Sequence, residues 1–358
     1  MKRIFVFRPV QFTVVLAALV FVFAATGGLF TGCSKQKTLT IYTWAEMFPP
    51  EIITGFEKES GFRVNYVNFD YGETMLSRLE QSNGSGYDLI IADDYILETI
   101  VQKGLAQKWD RSKLSNYRNI NPGYQGHFYD PKNEYTIPYG AGVQTIVYNP
   151  QRVNITITGY ADLWDSSLRN RLGIIGNHRV INGMALKVLG KSYNTEAIGE
   201  IRDAGDRLLA LAPNIRLIKD DILHEDLLSG EIDAAVMYTS QVPMAMIANP
   251  NLKVVFPKEG IGFGIMAGFI PSKASNPDAA HAFLNYIMEP ERGARCFEYL
   301  GYYSTFSGSD QRIQAEYREF LTLPPGFNAD MEMIQNVSPA AEEEHSRMWT
   351  AFRAATGR

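Results

Sequence analysis

Apolar and polar residues alternate along TLTIYT (Thr38–Thr43), the two-residue period of a half-buried strand. The period then changes. In EIITGFEKESG (Glu51–Gly61), Ile52, Ile53 and Phe56 share one helical face, Pro49 and Pro50 suit its first turn, and Gly61 suits a left-handed stop. The switching repeats. A strand is predicted over 62–69, a helix over 73–82 closed by the turn NGSG, a strand over 87–92 and a helix over 95–104. This βαβαβα order predicts a parallel sheet with helices on its faces. The near-continuous apolar run YDLIIA fits a strand covered on both sides.

The segment from Trp109 to Tyr135 is polar and turn-rich, and is expected to be a long surface excursion. TIPYGAGVQTIVYN (136–149) then runs apolar, and its small residues Gly140, Ala141 and Gly142 mark a crossing between lobes. A second α/β run follows, with helices predicted over 183–190, 197–213 and 224–231 and a strand over 232–239. GIGFGIMAGFIP (260–271) is the expected return crossing. Two further helices are predicted between Ala274 and Gly301, the first with Asn276 as N-cap, Pro277 at its first position and Asp278 favourable to its dipole. A chain of 358 residues exceeds what one core usually serves, so two lobes are expected.

In open sheets of this kind, ligands bind outside the carboxyl ends of the strands. Trp44 follows the first strand, Asp70 the second, and Asp93, Asp94 and Tyr95 the third. All five are placed on one rim of the first lobe.

Composition narrows the function. The chain is 46% hydrophobic and 20% charged, with a formal net charge of −5. That is a globular composition without the basic bias of a nucleic-acid binder. Lys2, Arg3 and Arg8 precede an uncharged stretch, 9–34, with an apolar run from Val14 to Ala25. This has the form of an export signal, with an uncleaved membrane anchor as the alternative. In LFTGCSK, the small residues Thr31 and Gly32 before Cys33 resemble a bacterial lipobox, although Phe30 is larger than the usual Leu or Val. The resemblance implies a signal peptide over 1–32 and lipid on Cys33. Cys296, the other cysteine, lies in an apolar helical pattern as a small core residue. The five histidines are scattered without metal-ligand spacing. No nucleophile elbow, P-loop or dinucleotide fingerprint occurs, and no enzyme activity, metal or cofactor is expected.

The order and spacing of IYTWAEMFPP, GYDLIIADDY, YTIPYGAG, YADLWD, PNLKVVFPKEG, AHAFLNYIMEPE with LGYYS, and IQNVSPAAEEE resemble the spermidine/putrescine-binding lipoproteins of bacterial ABC importers. The resemblance spans nearly the whole chain after the export segment. It implies a two-lobed periplasmic-binding-protein type II fold, α/β, with mixed, mostly parallel sheets, flanking helices and a ligand cleft between the lobes. The first lobe is expected to hold 38–142 and 266–308, the second 143–265 and 309–358. The function implied is capture of a polyamine or similar small cationic solute by a periplasmic, lipid-anchored monomer that delivers it to ABC permease subunits.

Carried over by position, the ligand-binding candidates are Trp44, Tyr95, Tyr238, Tyr302 and Gln335. Each also fits ordinary core or rim packing. Where the family carries acids or an aromatic, this chain has Asn177, Val180, Gly264 and Met266, and Met47 replaces an aromatic or polar residue. Asn177 and Met266 stay in the candidate set as the residues at those positions. Asp93 and Asp94 stand where the family has small hydroxyl residues, and Glu46, Asp70, Asp220 and Asp221 are further acids that could meet a cation. The alternatives are a neutral or amino-acid-like ligand, ferric ion through Tyr302 and Tyr303, or a surface hydrolase or adhesin on the same scaffold.

Overall fold

The computed structural model describes residues 37–219, 222–321 and 331–357. The export segment, Cys33, Asp220 and Asp221 lie outside the described residues. β1 (Thr38–Thr43) pairs in parallel with β2 (Arg63–Asn68) and β3 (Leu89–Asp93), as the βαβ pattern requires. Alternation sends Leu39, Ile41, Leu89 and Ile91 to one face of this sheet, and Tyr42, Ile90 and Ala92 to the other. Helices Pro50–Ser60 and Pro277–Ile287 cover the first face through Phe56 and Phe283, whose rings meet edge-on at 5.0 Å. Helices Gly72–Gln81 and Asp94–Gln102 cover the second through Met75, Leu79 and Leu97.

Two long strands join the lobes. β5 (Thr136–Tyr148) and β10 (Ile261–Pro271) run antiparallel to each other from Thr136↔Phe269 to Val143↔Phe263. β10 also pairs with β3, while β5 pairs with β8 (Ala234–Tyr238). β8 pairs in parallel with β6 (Leu172–Ile174), and β6 with β7 (Ile215–Ile218). With the short strands β4 (Ala106–Gln107) on β10 and β9 (Lys253–Val255) on β5, the strand order is β2-β1-β3-β10-β5-β8-β6-β7, one sheet that continues from lobe to lobe. A separate core that includes Ile146, Ile174, Leu186, Leu208, Val236 and Phe352 fills the second lobe. At the crossing, Ala141, Val143, Ile261, Phe263 and Ile265 form a small apolar cluster of their own.

Four features differ from the sequence expectation. The 109–135 segment is more than a surface excursion. Trp109, Leu114 and Ile120 are in the first-lobe core, and buried Asp130 accepts the amides of Glu134, Tyr135 and Thr136. Asn276 holds the N-cap position without capping. Its Nδ2 donates to the Thr38 carbonyl, and its amide donates to Asp88. Ile313 and Leu321 pack into the first-lobe core, so chain beyond 308 still belongs there. The helix predicted from Gly183 begins at His178, capped by the Asn177 side chain.

Candidate functional site

A cavity of about 1110 Å³ lies between the lobes, at the carboxyl ends of the first-lobe strands. Its volume slightly exceeds the ~300–1,000 Å³ of ordinary small-molecule pockets, as an interlobe cleft would. Trp44, Glu46, Asp93, Tyr95, Asn177, Tyr238, Met266 and Tyr302 all line it, and so do Asp70, Asp94 and Glu73. Gln335 does not. It is exposed, and it bonds through its backbone, with its amide donating to Asn194 and its carbonyl accepting from Arg179.

Each ring has a local reason for its place. Trp44 is half-buried against Phe69 at 4.7 Å, so one face is supported while the indole still borders the cleft. Tyr95 opens helix Asp94–Gln102 and donates its hydroxyl to Glu73 at 3.1 Å. Tyr238 ends β8 opposite Gln144 on β5. Tyr302 lies over the β5 glycines. A Cβ on Gly142 would come within 2.6 Å of its ring, so the crossing glycine makes room for the aromatic wall. Burial pushes the Tyr302 hydroxyl up to about 12, which keeps it a neutral donor.

The neighbouring acids separate by role. Asp94 is buried, accepting the amides of Ile265 at 3.1 Å and Tyr95 at 2.9 Å, so it ties the helix to β10. Asp93 is half-buried and faces Met266 across the β3–β10 pairing. Burial first, then the Glu73 carboxylate, pushes Asp93 up to about 7. Burial, then Asp93, raises Asp94 well above the usual carboxylate range. Among the described residues, no Lys, Arg or His pairs with Asp93, Asp94 or Glu73. Met47 borders the cleft but is nearly buried in the first-lobe core, with its carbonyl accepting from Tyr139 at 2.7 Å. Met266 is nearly buried in the cleft floor beside Gly140.

Sequence reasoning did not name Glu73, His178, Arg179 or Tyr299, all of which border the cleft. Glu73 obeys the same strand-end rule as Asp70. His178 and Arg179 were hidden by placing their helix too late, although Asn177 before an apolar stretch is an N-cap signal.

The profile of the bacterial extracellular solute-binding protein family matches residues 51–324. The spermidine/putrescine-binding periplasmic protein of Salmonella typhimurium is 33% identical over 270 residues, covering 75% of this chain and 78% of that protein. Its Escherichia coli K12 counterpart is 31% identical over 318 residues, covering 87% and 90%. This chain belongs to the spermidine/putrescine-binding family of bacterial extracellular solute-binding proteins. A solved structure described as a putative spermidine/putrescine ABC transporter from Listeria monocytogenes superposes with a TM-score of 0.81. It is 28% identical and is covered over 99% of its length by 88% of this chain. The corresponding substrate-binding protein of Streptococcus pneumoniae gives 0.79 at 27% identity, with coverage of 99% of that chain and 89% of this one. The fold of this family member is thus the periplasmic-binding-protein fold, mixed α/β, and the relatives it matches are binding proteins of transport systems.

Proposed function

We propose that this family member is the periplasmic receptor of an ABC importer and captures an aliphatic amine, a polyamine such as putrescine or spermidine or a similar small cationic solute. The observation that carries the reading is the first-lobe acid group. Asp93 and Glu73 border the cleft beside Tyr95 with no described cation against them. A carboxylate taken out of water without a counter-charge is unfavourable, and an entering ammonium supplies one. Trp44, Tyr95, Tyr238 and Tyr302 offer apolar cover to methylenes, and a cation over such a ring gains ~1–2 kcal/mol when desolvated. The names of the relatives, spermidine/putrescine-binding proteins, point the same way.

In this reading the protein works as a monomer that closes on its ligand and then docks on permease subunits, with no covalent chemistry. Lipid on Cys33 would hold it to a membrane, and replacing Cys33 with Ser should move the protein from the detergent phase to the aqueous phase. The direct test is calorimetric titration of the purified protein with putrescine and spermidine, alongside thermal melting. Saturable heat and a raised Tm are expected, with a gain of ~2.7 kcal/mol at one hundred times Kd. No heat and no shift with any aliphatic amine would remove the reading.

A further inference from the structure

The two crossing strands change partners part-way along, and at each change a side chain takes the place of a backbone group. β5 pairs with β10 as far as Val143↔Phe263, and Gln144 pairs instead with Tyr238 of β8. The next residue of β10 in that register is Gly262, and the Gln144 side chain reaches it. Its Nε2 donates to the Gly262 carbonyl at 2.9 Å, and its Oε1 accepts from the Gly262 amide at 3.1 Å and from the Tyr193 hydroxyl. β10 changes partners on its other edge. The tail strand Met331–Met333 pairs with it through Phe263, and β3 takes over from Met266↔Asp93. Gly264 and Ile265 lie between. Asp94, next in the β3 register, accepts the Ile265 amide on its carboxyl at 3.1 Å.

Resting on the reading that the lobes close on an aliphatic amine, we propose that Asp94 and Gln144 are positioning residues that confine the pivot of the cleft to the stretch between them. Asp94 pins β10 to the first lobe, and Gln144 pins it to the second. Between the two bonds β10 has only Phe263 and Gly264, and Gly264 faces Gly142 of β5. Where glycine stands opposite glycine, neither strand carries a Cβ, and the backbone has its widest freedom. The space there is open as well, since a Cβ on Gly264 would meet only Asp94, at 3.8 Å.

Both pins are built into their lobes. Gln144 is 2% exposed, and Tyr193 behind it is fully buried and bonded in turn to the Tyr160 hydroxyl. The Tyr193 amide donates to Glu332, and its carbonyl accepts from Arg179. Two glycines make the room. A Cβ on Gly262 would come within 2.8 Å of the Gln144 amide, and one on Gly183 would overlap the Tyr193 ring. Asp94 is 3% exposed, and its other carboxyl oxygen accepts the Tyr95 amide at 2.9 Å. Asp94 and Gln144 border the cleft, but the protein takes up their bonds, so they act on the ligand through the strands. Losing either bond lengthens the stretch of backbone that must be ordered when the lobes close. The amine meets the first-lobe acids before closure, so the cost falls on its retention and not on its arrival.

The test joins hydrogen exchange on the empty protein to stopped-flow kinetics with putrescine. Gln144→Met keeps the side-chain length and removes its donor and acceptor. Exchange of the Gly262 amide should quicken at least tenfold, with that of Ile265 within twofold of wild type. Asp94→Ala should give the reverse pattern. In both variants the putrescine dissociation rate should rise at least threefold, with the association rate within twofold. Tyr193→Phe keeps the buried ring and removes only the hydroxyl behind Gln144. It should act in the same direction as Gln144→Met by a smaller factor, and it carries the test if Gln144→Met does not fold. A purely structural role would lower the Tm and leave both rate constants unchanged. Unchanged dissociation beside quickened exchange therefore overturns the proposal, and so does quickening of both amides in each variant. If wild type gives no heat with putrescine or spermidine, the amine reading falls, while the separate responses of the two amides in the empty protein still decide whether these bonds bound a pivot.

Discussion

A half-buried carboxylate with no cation beside it keeps its proton to unusually high pH, and Asp93 is such a group. Its ordinary value of 3.8 rises to about 7, chiefly through burial. An amine is held by the ionised form. Below pH 7 the empty site must therefore give up a proton to bind, and affinity should fall about tenfold per unit, levelling above 7. Titrations at pH 5.5, 6.5 and 8 check this, and a flat profile would detach Asp93 from the ligand. The stability effect has the opposite sense. Between roughly pH 4 and 7 the folded empty protein holds a proton that the unfolded chain has lost, so the Asp93 contribution falls as pH rises through that window. Asp93→Asn should then raise the Tm of the empty protein at pH 8 while weakening amine binding at least tenfold. Trp44→Ala should also weaken binding at least tenfold, ~1.4 kcal/mol, because it removes a ring already braced by Phe69. The place of these residues on the cleft was legible in the sequence because strand ends fix where side chains point. Gln335 was not, because a polar residue in an irregular tail bonds through either backbone or side chain, and pattern does not choose between them. Nor could pattern separate Asp93 from Asp94, since only the three-dimensional contact with the Ile265 amide turns Asp94 into a tie.

At the scale of elements, the crossing strands do two jobs. Their small residues bring backbones together, and they also seat the cleft aromatics. Gly142→Ala would press a methyl to 2.6 Å from the Tyr302 ring and 3.1 Å from the Thr239 hydroxyl. Little else around that site can yield, so the ring should be displaced. Amine affinity should drop several-fold with the circular-dichroism spectrum unchanged, and an unaltered affinity would show that Tyr302 is not part of the wall. The glycine cluster was legible as a crossing, but its role as a seat for an aromatic 160 positions later is a tertiary fact without a local signal. The late prediction of the 178–188 helix has a local cause. Its apolar periodicity strengthens only from Gly183 and Met184, while its first turn carries His178 and Arg179, and the cap rather than the period marks the true start.

At the scale of the whole molecule, one sheet runs through both lobes, joined by β5 and β10. The tail adds a further tie. Glu332 bonds Lys187 and the amide of Tyr193 in the second lobe, while the Asn336 Nδ2 donates to the Tyr95 carbonyl at 2.8 Å and to Glu98 in the first. Asn336→Ala should loosen that tie and raise the amine dissociation rate in stopped-flow measurements, with association little changed. The two-lobe organisation was legible because the βα pattern breaks twice at glycine-rich apolar runs. The packing of Ile313 and Leu321 on the first lobe was not, because that segment has no periodic face. The central claim is that an amine sits between the lobes with its nitrogen on the first-lobe acids. A crystal structure with the amine bound tests it most directly. It should show the lobes closed on the ligand and a ligand nitrogen at about 2.7–2.9 Å from an Asp93 carboxylate oxygen. A ligand bound elsewhere, or one whose nitrogen lies beyond hydrogen-bond reach of Asp93 and Glu73, would contradict it.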